Sequence, residues 1–93
     1  MRKIERTSQF KRDYKREAKG QHRATLDAAL FPVVRALAED CPPEAKYRDH
    51  FLTGDWQHSR DCHIKPDLVL IYQKPDAETL LLVRLGSHAE LGI

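Results

Sequence analysis

Long apolar runs are missing from this chain. No stretch approaches the roughly 18 to 20 apolar residues that cross a bilayer. The charged start, Met1-Arg2-Lys3-Ile4-Glu5-Arg6, is not followed by an apolar segment of signal-peptide length. Neither a membrane span nor a secretory leader is expected, and the cytoplasm is the expected compartment. Cysteine is scarce: Cys41 and Cys62 form no C-x-x-C pair and make a poor disulfide framework, so both are expected as reduced thiols. Glycine is scarce as well. Gly54, Gly86 and Gly92 are too scattered to build a phosphate-cradling loop, and no nucleophile elbow presents a serine. Internal repeats and low-complexity tracts are also absent.

The 93 residues suit one domain, 1–93. A chain of this size buries only about 60% of its unfolded surface, so modest stability is expected. Hydrophobic residues make up 41% and charged residues 32%, a globular balance. The net charge of +2 hides an asymmetry: residues 1–35 hold ten Lys/Arg against four Asp/Glu, residues 36–93 six against ten. A basic first half is a candidate footprint for a phosphate backbone, or a well-solvated helix face.

The chain reads as an α+β domain: a short N-terminal strand, two helices, then an antiparallel three-strand meander, with the helices covering one face of the sheet. Arg2 to Arg6 is the weak first strand. Thr7 or Ser8 caps a helix running to about Lys19, with Phe10, Tyr14 and Ala18 as its apolar stripe and Gly20 just past its end. A second helix is predicted from about His22 to Glu39, with Leu26, Leu30, Val33 and Leu37 on one face. Pro32 inside it predicts a kink or a split, and Cys41-Pro42-Pro43 ends it. Residues 44–55 read as a loop. Strands follow over Trp56–Ile64, the apolar Leu68–Gln73 and Thr79–Gly86, and Ser87–Ile93 reads as a tail. Trp56, Phe31 and Tyr72 are expected in the core, with base stacking as the other use of Trp56.

Strict alternation puts Leu81, Val83 and Leu85 on one side of the last strand. Leu80, Leu82, Arg84, Gly86 and His88 fall on the other, with Arg84 and His88 near one another. His50, His63 and His88, with Asp67 and the cations Arg48, Arg60, Lys65 and Arg84, form a set suited to RNA cleavage. The 2′-OH must lose a proton, the 5′-oxygen must gain one, and the phosphoryl oxygens must be stabilised between. Imidazole serves both transfers near neutral pH, and guanidinium or ammonium can offset the developing charge. Zinc held by His50, His58, Cys62 and His63 is disfavoured, because adjacent Cys62 and His63 point to opposite faces of a strand. The same opposition argues against a Cys62–His63 nucleophile pair. The row Lys11, Arg12, Lys15, Arg16 and Lys19 is either solvated helix surface or a contact for ribosomal RNA.

Taken in order, Tyr47-Arg48-Asp49-His50, Leu52-Thr53-Gly54-Asp55-Trp56, Arg60-Asp61-Cys62-His63-Ile64-Lys65-Pro66-Asp67, Leu70-Ile71-Tyr72 and Arg84-Leu85-Gly86-Ser87-His88-Ala89-Glu90-Leu91 resemble YafQ-type toxins of the RelE/ParE superfamily. The match spans the second half of the chain; the first half is similar mainly in helix order and the Phe10…Tyr14 stripe. The resemblance implies a RelE-like microbial RNase fold and cofactor-free cleavage of mRNA in the ribosomal A site. It also implies a cognate antitoxin, a DNA-binding, DinJ-like ribbon-helix-helix protein. Carried over, His50, His63, Asp67 and His88 match the family's catalytic positions, with His50 as general base, His88 as general acid, and His63 and Asp67 orienting RNA or stabilising charge. Arg84 matches a position used for the scissile phosphate. The chain departs from the pattern in its tail, Leu91-Gly92-Ile93, which lacks an aromatic, and at Leu68, where the family often has tryptophan. Two rivals carry different functions: a ParE-like inhibitor of DNA gyrase, which lacks the histidine set, and an RNA-binding relic that no longer cuts.

Overall fold

The computed structural model describes residues 1–42, 44–52, 54 and 58–93. Its elements, in chain order, are β1 (Lys3–Arg6), α1 (Ser8–Ala18), α2 (Leu26–Ala38), a 3-10 turn (Ala45–Tyr47), β2 (His50–Phe51), β3 (Arg60–Lys65), β4 (Leu68–Gln73), β5 (Thr79–Gly86) and α3 (His88–Leu91). The expected α+β arrangement is present, extended by the two-residue β2 and by α3. The sheet has five strands in the order β1-β5-β4-β3-β2. β3, β4 and β5 form the antiparallel meander, and β1 joins β5 in parallel, Lys3 opposite Thr79 and Arg6 opposite Leu82.

Thr7 caps α1, its hydroxyl accepting from Phe10 N–H at 2.9 Å. α2 begins at Leu26 rather than His22, because residues 21–25 form turns. It runs unbroken through Pro32. Pro32 and Ala28 both lie on the exposed side, where water can take the carbonyl that the proline ring leaves unpaired. Leu26, Leu30, Val33 and Leu37 are buried as expected and, with Phe10, pack on Cys62, Ile64, Leu68, Leu70, Tyr72, Leu80, Leu82 and Leu85. Phe31, expected in the core, is 55% exposed on the flank of the same helix. Trp56 and the start of its predicted strand lie outside the described residues; the strand proper begins at Arg60.

The α1 stripe also departs from expectation. Ala18 is exposed, and Asp13 and Glu17 are buried beside Phe10. Carboxylates at helix-stripe positions are misread as surface until their partners are known. Here the partners are Arg84 and Arg16.

β5 does not alternate strictly. Ile71 pairs with Arg84 but Tyr72 with Leu82, so Val83 is an extra residue in the ladder. The bulge turns Leu85 to the same core as Leu80 and Leu82 and leaves Val83 against Val69, Ile71 and Leu91 on the opposite face. That second small core seats α3, which reads as a tail in sequence. The signal for α3 was Ser87-x-x-Glu90, a capping box: Ser87 Oγ accepts from Glu90 N–H at 3.1 Å, and Glu90 Oε1 accepts from Ser87 N–H at 2.9 Å.

Candidate active site

The sheet face opposite α1 and α2 gathers the histidines. β2 and β3 pair in the register His50 opposite Asp61, and His63 lies two residues further along β3, on the same side as Asp61. The His50 and His63 ring centres are 6.1 Å apart, and those of His63 and His88 are 5.0 Å apart. His88 reaches the group because it opens α3 directly after β5, not because the strand alternation continues.

Each outer histidine is oriented through one nitrogen. His50 Nδ1 lies 2.7 Å from the Arg48 carbonyl and 2.9 Å from Asp61 Oδ1. Both neighbours are acceptors, so Nδ1 carries the hydrogen and Nε2 is the bare nitrogen of the neutral ring. The bond geometry favours the carbonyl, which leaves Asp61 Oδ1 buried without a hydrogen bond. Arg48 holds φ +52° and ψ +43°, a conformation costly for a residue with a Cβ, and this backbone places its carbonyl on the imidazole. His88 Nδ1 lies 2.8 Å from Asp67 Oδ1, which also accepts the His88 backbone N–H at 3.1 Å. These bonds hold the Asp67 carboxyl below the usual carboxylate range. His88 Nε2 then faces His63 Nε2 at 3.0 Å.

The four cations expected to serve the phosphate divide into two pairs. Arg84 is committed to α1: its Nε and Nη2 donate to Asp13 Oδ2 and Oδ1 at 2.7 and 3.2 Å, and Leu85 N–H joins at 3.0 Å. Burial raises the Asp13 carboxyl, but these bonds outweigh it and hold it low. Arg60 is bound to Asp49 through both Nε and Nη2, at 3.1 and 3.3 Å, and Tyr72 Oη donates to the same carboxylate at 2.7 Å. Neither arginine is disposed to bind a phosphate without giving up its carboxylate. Lys65 and Arg48 differ. Lys65 bonds the neutral Thr25 hydroxyl, and no ion pair involving Arg48 or Lys65 occurs among the described residues. With Lys46, Tyr47 and His63 they line a recess of about 520 Å³.

In the basic row, Lys11, Arg12, Lys15 and Lys19 are exposed. Arg16 turns back into the protein, its Nε 3.0 Å from both Glu17 and Glu90 and its Nη2 donating to the Leu85 carbonyl at 2.8 Å. Cys62 points into the helix-side core, where burial pushes its thiol up to about 12. It is separated by the sheet from His63, as the argument against a Cys62–His63 zinc or nucleophile pair requires. His58 lines a different recess, beside Asp40 and Arg60. Asp61 also belongs to the site, signalled in sequence only by the Asp-x-His spacing on one strand, whereas nothing local marks Asp13 as the partner of Arg84.

The result is a small α+β fold with three histidines on one sheet face and a basic recess on one flank. The family model for the bacterial toxin of type II toxin–antitoxin systems, YafQ, matches residues 2–92. The putative toxin YafQ of Haemophilus influenzae is 33% identical over 94 residues, covering 98% of this chain and 92% of its own. The mRNA interferase toxin YafQ of Escherichia coli K12 is 34% identical over 90 residues, covering 97% and 95%. A chain of the E. coli DinJ–YafQ complex superposes with a TM-score of 0.82 at 35% identity over 98% of both chains. This chain belongs to the YafQ family of type II toxins.

Proposed function

We propose that residues 1–93 act as one unit, an mRNA endoribonuclease that cuts in the ribosomal A site by acid–base transfer between its histidines. The observation that carries this reading is the complementary orientation of His50 and His88. Each has its Nδ1 against an oxygen acceptor, which leaves Nε2 for the substrate, and both rings lie beside His63. His50 Nε2 takes the proton of the 2′-OH. The 2′-oxygen bonds to phosphorus, the bond from phosphorus to the 5′-oxygen breaks, and His88 Nε2–H delivers a proton to that leaving oxygen. The products are a 2′,3′-cyclic phosphate and a 5′-hydroxyl. Asp67 steadies His88 in its protonated form, and His63 shares the proton of His88. Lys46, Arg48 and Lys65 line the recess beside His63 and supply positive charge for the strand. The exposed Lys11, Arg12, Lys15 and Lys19 are suited to ribosomal RNA.

Regulation follows the DinJ–YafQ precedent, with an antitoxin as partner. A groove of about 830 Å³ lined by Phe10, Leu30, Phe31 and Val34 together with Arg6, Lys11, Lys15 and Arg35 suits a segment that mixes apolar side chains with carboxylates.

The test is primer extension on a defined mRNA with purified protein, with and without programmed ribosomes, against a His50→Ala/His88→Ala variant. Cuts that need both ribosome and histidines support the reading. Silence in every lane removes it, and a DNA supercoiling assay follows.

A further inference from the structure

Asp61 is a carboxylate in a place that costs the fold. It is 3% exposed, yet its Oδ1 has no hydrogen bond, and a buried, unsatisfied charged oxygen is destabilising. Burial raises the Asp61 carboxyl above its ordinary value; the rings of His50, His63 and His88 oppose that shift and Asp49 adds to it. The orphaned oxygen lies 2.9 Å from His50 Nδ1. While His50 is neutral, its Nδ1–H is satisfied by the Arg48 carbonyl and the carboxylate gains little.

We infer that Asp61 is a positioning residue for His50, holding the ring in register across β2–β3 and opposing the positive charge that His50 acquires when it accepts the 2′-OH proton. This rests on the endoribonuclease reading above. The interaction strengthens as the reaction proceeds: a carboxylate beside a neutral ring becomes a carboxylate beside an imidazolium, in a partly dry site. Only such a differential interaction lowers a barrier. Among the described residues Asp61 is the one carboxylate within ion-pair distance of His50, and the direct cross-strand pairing keeps the distance short.

The experiment is single-turnover cleavage of ribosome-bound mRNA by wild type, Asp61→Asn, His50→Ala and the double variant. Asp61→Asn is expected to slow the chemical step roughly tenfold or more with KM little changed, less than the roughly 10²–10⁴ expected for loss of a general base. In the His50→Ala background the same substitution is expected to add nothing, because Asp61 acts through His50. Asp61→Asn should melt at the same temperature as wild type or higher, and should move the His50 ring-nitrogen resonances by NMR where Asp67→Asn moves those of His88. Wild-type rates in Asp61→Asn, an equal loss in the His50→Ala background, or a lowered melting temperature overturns the proposal alone. A His50→Ala variant that cuts like wild type overturns the acid–base reading and this proposal with it.

Discussion

The Nε2 atoms of His63 and His88 face each other at 3.0 Å, a separation at which one nitrogen carries a proton and the other does not. His63 Nδ1 is buried without a partner. Buried orphan N–H groups are rarer and costlier than orphan acceptors, so in the neutral pair the proton of His63 belongs on Nε2, donated to His88; protonation of the pair moves that hydrogen to His88 Nε2, the form that serves as the acid. The two rings therefore share a proton, and Asp67 anchors the far side of His88. A side chain that keeps a donor in that position preserves His88's orientation. His63→Gln is expected to retain at least tenfold more cleavage than His63→Ala, a difference within the range of a single proton-transfer group. Equal rates for the two variants in the ribosome assay would remove His63 from the relay.

Gly86 sits under the Arg16–Glu90 ion pair. A Cβ there would lie 2.8 Å from Arg16 Nη2 and 3.2 Å from Glu90 Oε1. Arg16 is the end of a long side chain, but it is held by carboxylates and by the Leu85 carbonyl. Gly86→Ala must break that hold, and Glu90 also closes the cap of the helix that opens with His88. The expected cost is about 1 kcal/mol of stability together with a larger loss of cleavage. Thermal melting and the ribosome assay on the same preparation separate the two effects.

The cations should respond differently to neutralisation. Arg84→Gln takes the two-pronged partner from buried Asp13, leaving it Arg16 and the Leu85 N–H, and is expected to lower the melting temperature. Arg48→Gln and Lys65→Gln leave no carboxylate behind among the described residues; they should melt near wild type, weaken RNA binding, and each reduce the log–log salt slope of binding by about 1. A salt slope unchanged in both would take these residues off the RNA path.

Asp13 sets an acid limit. Its carboxyl is held low in the folded state, so its ion pairs stabilise the protein fully above about pH 4, the unfolded value, and are lost as pH falls through the folded value. Asp13→Asn is expected to cost about 3 kcal/mol at pH 7, and the gap should close in acid. Denaturant unfolding at pH 7 and pH 3 checks both points; a gap independent of pH would mean that packing, not charge, is lost. Asp61 carries the opposite sign: its raised carboxyl makes its contribution less favourable as pH rises through the folded value.

The two thiols should differ in reactivity. Cys41 is exposed, while Cys62 is buried with its thiol pushed up to about 12. A thiol reagent at neutral pH should modify one cysteine quickly and the second only on unfolding. Fast reaction of both would place Cys62 outside the core.

Phe31 is 55% exposed in the groove lined also by Arg6, Lys11, Lys15 and Arg35. Phe31→Asp is expected to weaken antitoxin binding at least tenfold while leaving free-toxin cleavage unchanged. Calorimetric titration with the purified antitoxin decides it.

The sequence by itself determined the class of fold, the limits of β4 and β5, the core face of α2 and the three histidines with Asp67. These features rest on local periodicity, turn chemistry and an ordered set of motifs. Tertiary structure alone decided the commitments of the charged groups. Arg84 and Arg16 look like free cations in sequence because Asp13, Glu17 and Glu90, which occupy them, come from other elements or from helix positions that read as surface. The bulge at Val83 depends on pairing with β4, so strict alternation put Leu85 on the wrong face. Phe31 has the chemistry of a core residue, but α2 has only one side to bury, and Leu26, Leu30, Val33 and Leu37 had already taken it. The proton arrangement of the site is likewise tertiary: it follows from which acceptor lies against each imidazole, Arg48 and Asp61 for His50, Asp67 for His88, and these distances exist only once β2, β3 and α3 meet on one face of the sheet.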